Sequence, residues 1–181
     1  MSETRHSRSE PEELSDLLPE ESALHEELVR AMRRLSRVPR TEAETRDYLQ
    51  QRELPEESVE QIIGILKGEG FVNDARLAES YVRFRLRRGY GHGRIRRELR
   101  EKGVAEVTIE RALEASREDF RESEVLRGVI GKHLRVKGEP RTARDLKNLG
   151  SFLTRRGFDH DLIREELEVY FDQINSGGGK S

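Results

Sequence analysis

The strongest chemistry in the sequence lies between residues 83 and 103, where nine Arg and Lys stand against two Glu. A guanidinium stays protonated at any relevant pH, and its planar fork donates two parallel hydrogen bonds, so it suits phosphate or carboxylate. At 100° per residue Arg76, Arg83 and Arg87 fall within about 40° of one another, away from the stripe of Leu77, Ala78, Tyr81 and Val82. The turn Arg88-Gly89-Tyr90-Gly91 follows, with Tyr90 placed to stack on a base or a partner side chain. Beyond it, Ile95 and Leu99 form a narrow apolar seam with Arg96, Arg97 and Arg100 on another side and Arg94 at its start. Arg85 points into the apolar stripe by the same count, so it must snorkel or pair with a carboxylate. A second basic stretch runs from Arg127 to Lys147 and includes Lys132, Arg135 and Arg144. These two patches could flank one groove. A basic row on a helix can equally be a solvated face or pair with Glu and Asp of its own fold, and a Lys-rich stretch can serve solubility alone.

Catalytic arrangements are not found. His6, His25, His92, His133 and His160 lack the spacing to another His, Asp or Glu that a zinc or helical two-metal site demands. Asp159-His160-Asp161 reads as a helix N-terminus, where acidic side chains are favoured. The terminal Gly177-Gly178-Gly179-Lys180-Ser181 lacks the earlier glycine, the strand and the following helix of a phosphate-binding loop. Carboxylates sit beside Arg or Lys, as Glu98 does with Lys102, rather than in apolar surroundings that would raise a pKa for acid–base work. The expectation is a protein that is not an enzyme and holds no metal or cofactor.

The elements that carry these residues read as helix. Val59, Ile62, Ile63 and Leu66 recur at i, i+3, i+4 and i+7, and no bounded period-two alternation occurs. Thr41 with Glu44 and Thr142 with Asp145 have the form of capping boxes, each after Pro-Arg. Pro55 fits a first helical position, and Asn73 and Asp159 suit N-caps. Leu49, Leu99 and Leu153, 50 and 54 residues apart, bring three copies of one pattern into register. In that register Gly103 lies over Gly157, then Leu54, Val104 and Phe158, then Val59, Ile109 and Ile163, then Ile63, Leu113 and Leu167. The spacing leaves room for three helices per copy. Glu53 departs, standing where the other copies have glycine, so its turn must close without a left-handed glycine or in another geometry. The third copy carries about one extra turn before Leu153.

The fold class that follows is all-α: tandem three-helix repeats, about nine helices, in an elongated, curved array. The expected segments are a flexible acidic tail over 1–23, repeats over 24–70, 71–118 and 119–175, and a disordered tail over 176–181. Apolar residues make up 33% and charged residues 39% of the 181, which suits a thin architecture better than one thick globule. The formal net charge of −2 does not by itself announce a nucleic-acid binder. There is no cysteine, so neither disulfides nor thiolate zinc sites are possible. No apolar run approaches the roughly 20 residues of a membrane span, and no signal-peptide layout opens the chain, so a cytoplasmic location is expected.

The stretch Gly70-Phe71-Val72-Asn73-Asp74-Ala75-Arg76-Leu77-Ala78-Glu79-Ser80-Tyr81-Val82-Arg83, with Arg88-Gly89-Tyr90-Gly91 and Arg94-Ile95-Arg96-Arg97-Glu98-Leu99, closely resembles the central repeat of RecX regulatory proteins. Leu35-Ser36-Arg37-Val38-Pro39-Arg40-Thr41-Glu42-Ala43-Glu44 looks like that family's first-repeat entry. Leu77 stands where an aromatic residue is common and His92 where proline is. The resemblance covers residues 24–175. It implies a tandem three-helix-repeat protein, acting as a monomer, that binds RecA filaments, commonly in the helical groove. Such a protein restrains ATP hydrolysis, strand exchange and coprotease activity in recombination and the SOS response. Single-stranded DNA would be met weakly or through the filament. On this view Arg76, Arg83, Arg87, Arg94, Arg96 and Arg97 meet acidic surface or phosphate, with Arg88, Tyr90, Arg100, Lys132, Arg135 and Arg144 extending the face. The rival reading is a helical module that binds DNA directly through the same arginines.

Overall fold

The computed structural model describes residues 23–177, with side chains to 171. Most of the expected acidic tail and the last residues of the expected C-terminal tail lie outside the described residues. Among the described residues there are nine α-helices and no strand: α1 (Ala23–Arg37), α2 (Glu42–Gln50), α3 (Glu56–Gly68), α4 (Asp74–Arg87), α5 (His92–Glu101), α6 (Glu106–Ala115), α7 (Glu122–Lys137), α8 (Ala143–Arg155) and α9 (His160–Gly177). A single 3-10 turn, Ser116–Glu118, follows α6.

Local chemistry sets where these helices begin. The Thr41 hydroxyl accepts from the Glu44 amide while the Glu44 carboxylate accepts from the Thr41 amide, and Thr142 and Asp145 repeat the arrangement at α8. Asn73 Oδ1 accepts from the Arg76 amide and Asp159 Oδ1 from the Asp161 amide, which satisfies free donors at the starts of α4 and α9. Pro55, which the sequence suggests as the first helical residue of α3, stands instead at its N-cap, one residue before the helix begins. Its extended ψ of 144° explains the offset, because the helix starts only at Glu56.

Two compact units form. Among the described residues, one takes those up to Leu77 together with Lys102–Val104, the other Ala78–Glu101 and those from Ala105 onward. The first is built around Leu28, Met32, Leu35, Leu49, Val59, Ile62, Ile63 and Leu66, contributed by α1, α2 and α3. In the second, α7, α8 and α9 close around Leu126, Ile130, Leu134, Leu149, Leu153, Phe158 and Ile163. Each such Leu or Ile removed from water contributes on the order of 1.5–3 kcal/mol. The repeat frame is therefore the core itself: Leu49, Leu99 and Leu153 are all fully buried.

The turn after each Leu is also a common element. Gly103 and Gly157 have φ of 76° and 91°, and Glu53 takes the same left-handed region at φ 57°. The first copy thus keeps the geometry of the others with a residue that has a Cβ. These turns receive helix N-termini. In the first unit the Thr41 hydroxyl donates to the Lys102 carbonyl at 2.6 Å, and Lys102 Nζ reaches Glu44 at 2.8 Å. In the second, the Gly91 and Gly93 amides donate to the Arg156 and Gly157 carbonyls at 2.9 and 3.0 Å. Glycine is required where the backbones meet: a Cβ on Gly157 would stand 2.3 Å from the Arg94 nitrogen, and one on Gly103 2.3 Å from the Ala43 Cβ. α8 has 13 residues where α2 has 9 and α5 has 10, which is the extra turn the sequence shows.

Candidate partner interface

Half of the arginine-rich segment is committed to its own fold. Arg85 pairs with Glu98 through both Nε and Nη2, and the same carboxylate accepts from Arg94 Nε at 2.9 Å and from the Tyr81 hydroxyl at 3.1 Å. Burial pushes the Glu98 carboxyl up, but the hydrogen bonds from Arg94 and Arg85 outweigh it and hold the group below the usual carboxylate value. Arg85 thus resolves its inward direction by pairing. Tyr90 sits among guanidiniums of its own chain, with those of Arg85, Arg94 and Arg156 at 3.8, 4.5 and 5.2 Å from the ring centre. Arg156 also donates to the Arg88 and Gly89 carbonyls at 3.2 and 2.9 Å, tying α8 to the turn after α4. This ring is an internal keystone, and stacking on a foreign base would displace one of those cations. On α5 and α6, Arg96 bonds Glu110 at 2.8 Å and Arg100 bonds Glu106 at 2.6 Å.

The remaining predicted residues are available. Among the described residues the side chains of Arg76, Arg87, Arg97, Lys132, Arg135 and Arg144 are exposed and have no carboxylate within ion-pair distance. Arg88 is likewise free of carboxylates, its guanidinium 4.5 Å from the Phe84 ring centre. Arg83 has a single loose contact with Glu79 at 3.8 Å, one turn back on α4. In the second basic stretch, Arg127 is spent on the buried Glu166.

Within the second unit the two basic patches meet. A groove of about 450 Å³ runs between the C-terminal end of α4 and the outer face of α7, with Arg87, Arg88 and Lys132 on its rim. Its floor is apolar, made by Phe120, Val125, Val129, Val136 and Phe152, and Val136 is 75% exposed. His133 stacks on Phe152 at 4.6 Å, and the one carboxylate in the lining is Glu124. A cationic rim around an apolar floor suits an acidic partner segment with a hydrophobic anchor. The floor residues were not legible as a surface, because Val125, Val129 and Val136 follow a helical spacing that reads as core. A second missed face is the row Arg30, Arg33, Arg34 and Arg37 on α1, hidden in sequence by the five acidic residues of α1 and α2, Glu26, Glu27, Glu42, Glu44 and Asp47.

Among the described residues no group of three or more His, Cys, Asp or Glu could hold a metal ion, and no helix is long and apolar enough to cross a membrane. His92 bonds Glu122 at 2.9 Å, which fixes the start of α5.

Residues 28–65 match the family description "RecX, first three-helix domain" and residues 73–113 match "RecX, second three-helix domain". The regulatory protein RecX of Thermobifida fusca is 34% identical over 143 residues, covering 76% of this chain and 77% of that protein. The chain belongs to the RecX family. RecX of Pseudomonas syringae is 35% identical over 74% of this chain and 84% of its own length. A crystal structure of a regulatory protein RecX superposes with a TM-score of 0.64 at 28% identity, over 81% of this chain and 74% of the other. RecX from Lactobacillus salivarius shares the fold, with a TM-score of 0.72 over 80% of this chain and 94% of its own at 24% identity. Members of the RecX family are regulatory proteins, built on helical repeats.

Proposed function

We propose that this chain binds RecA nucleoprotein filaments in the cytoplasm and inhibits RecA ATPase, strand exchange and coprotease activity. Family membership supports the regulatory reading. The observation that carries the contact surface is the groove whose rim joins Arg87, Arg88 and Lys132, from two separate basic stretches, without an ion-pair partner. An acidic RecA segment docks there, with Arg83, Arg97, Arg135 and Arg144 as further cations of the second unit, Arg76 as a cation of the first, and Arg94, Arg96, Arg100 and Tyr90 holding the scaffold of the second unit. Three repeats, bounded near residues 70 and 118, position these cations.

The test is RecA ATPase on single-stranded DNA with Arg87→Glu, Arg88→Glu and Lys132→Glu combined. Half-inhibition should require at least about tenfold more protein while far-ultraviolet circular dichroism stays unchanged. Undiminished inhibition removes the groove from the mechanism. The direct DNA-binding reading predicts instead a steep, RecA-independent loss of affinity between about 50 and 200 mM salt.

A further inference from the structure

The first unit carries a cluster of cations of a different kind. At 100° per residue Arg30, Arg33, Arg34 and Arg37 of α1 share an arc of about 100°. With Arg40, Val38 and Tyr48 they line an open pocket of about 470 Å³ that contains no carboxylate. Arg33, Arg34 and Arg37 have no ion-pair partner among the described residues. Arg34 lies over the Tyr48 ring at 4.6 Å. Arg40 has a buried Nε without a hydrogen-bond partner, and its one ion pair is a 3.7 Å contact with a Glu44 that Lys102 already holds at 2.8 Å. Guanidiniums gathered in this way repel one another unless a multivalent anion lies between them. The chemistry of the pocket calls for several carboxylates or phosphates together, beside an apolar contact for the ring of Tyr48 and the half-exposed Val38.

We propose that residues 10–21 of this same chain occupy the pocket. They carry six carboxylates, Glu10, Glu12, Glu13, Asp16, Glu20 and Glu21, and no cation, against a lining with no carboxylate and five arginines, of which Arg30 already pairs with Glu26 and Glu27 and Arg40 loosely with Glu44. Leu14, Leu17 and Leu18 lie between those acids and supply the apolar contact. Reach is sufficient: Ala23 and Arg37 are about 21 Å apart along a helix, and twelve extended residues span up to roughly 40 Å. The segment is attached directly ahead of α1, so it meets the pocket at a high effective concentration and excludes free anions from it.

Because the chain has no cysteine, Ser15→Cys gives one attachment site for a nitroxide. In the full chain at about 50 mM salt, the Nε–H signals of Arg33, Arg34, Arg37 and Arg40 should be broadened, and the broadening should vanish when the six carboxylates are converted to Gln or Asn. Broadening that persists after neutralisation, or that settles on Arg83, Arg87 and Arg88 instead, overturns the assignment. A fluorescent oligo-dT forms the second arm. Neutralising the six carboxylates should tighten its binding about tenfold, and Arg33→Gln with Arg37→Gln should abolish the gain. Equal affinity for the native and neutralised chains, lost in both with those two Gln substitutions, would show that nucleic acid rather than the chain's own segment fills the pocket.

Discussion

Replacing Gly157 by alanine isolates the close approach between the start of α5 and the turn after α8. Gly157 has a φ of 91°, and an added Cβ would stand 2.3, 2.4 and 2.8 Å from the nitrogen, Cβ and Cα of Arg94. Backbone cannot step aside as a side chain tip can. The left-handed conformation alone costs an alanine about 1–2 kcal/mol. Forcing a methyl into a closed contact adds roughly 1–3 kcal/mol, and loosening the two amide–carbonyl bonds of Gly91 and Gly93 adds about 1 kcal/mol each. The expected loss is about 4–7 kcal/mol, a large part of a domain's total. Gly70 is the control: its φ is 72° but nothing lies within 4 Å of its added Cβ, so Gly70→Ala should cost only the conformational term of about 1–2 kcal/mol. Urea denaturation followed at the helical circular dichroism band measures both. Equal losses for the two variants would refute the argument from contact and leave only backbone strain.

Glu53→Gly should stabilise the protein by about 0.5–1 kcal/mol, since it relieves a left-handed non-glycine residue at the expense of some chain entropy, and a raised melting temperature reports it. Thr41→Ala should cost about 2–3 kcal/mol, because the hydroxyl both caps α2 and donates to the Lys102 carbonyl; Thr41→Ser should recover most of it in the same melts. The hydrogen bond from Arg52 holds the Glu27 carboxyl below its ordinary value, and Arg94 and Arg85 do the same for Glu98 against its burial. A depressed folded pKa contributes stability that is present above about pH 4.3 and is lost as pH falls through the folded values. Glu98→Gln should therefore flatten the decline of the melting temperature between about pH 5 and 3, and an unchanged slope would exclude Glu98 from the acid response.

Much of the fold could be read from the sequence because the repeat and the core are one pattern. Leu49, Leu99 and Leu153 recur where a buried position recurs, and the two capping boxes carry their partners three residues away, within the span that local reading resolves. Arg85 was legible in its direction, though not in its partner. Glu98 lies 13 residues on, across a turn whose geometry depends on Gly89 and Gly91. The arginines that are spent internally could not be separated from those that are free. Arg96 and Arg100 differ from Arg97 only in facing carboxylates of α6, and that depends on how two helices pack. The groove was invisible for the same reason, since its rim comes from residues more than forty positions apart.

Glu53 also bears on what each turn of the repeat can accept. A turn that accepts the start of another helix needs bare backbone, and the two turns that do so, at Gly103 and Gly157, have it. At the turn after α2 the chain holds the same pose, yet hangs a carboxylate side chain from it. At the other end, α8 begins a full turn early, burying within a helix the positions that in α2 form its docking tip. Modular chains of this sort face open-ended growth into fibres. Here the turn at Glu53 and the early start of α8 both depart from the contact by which one triad seats the next, so that contact is set by local residues and not by the repeat itself.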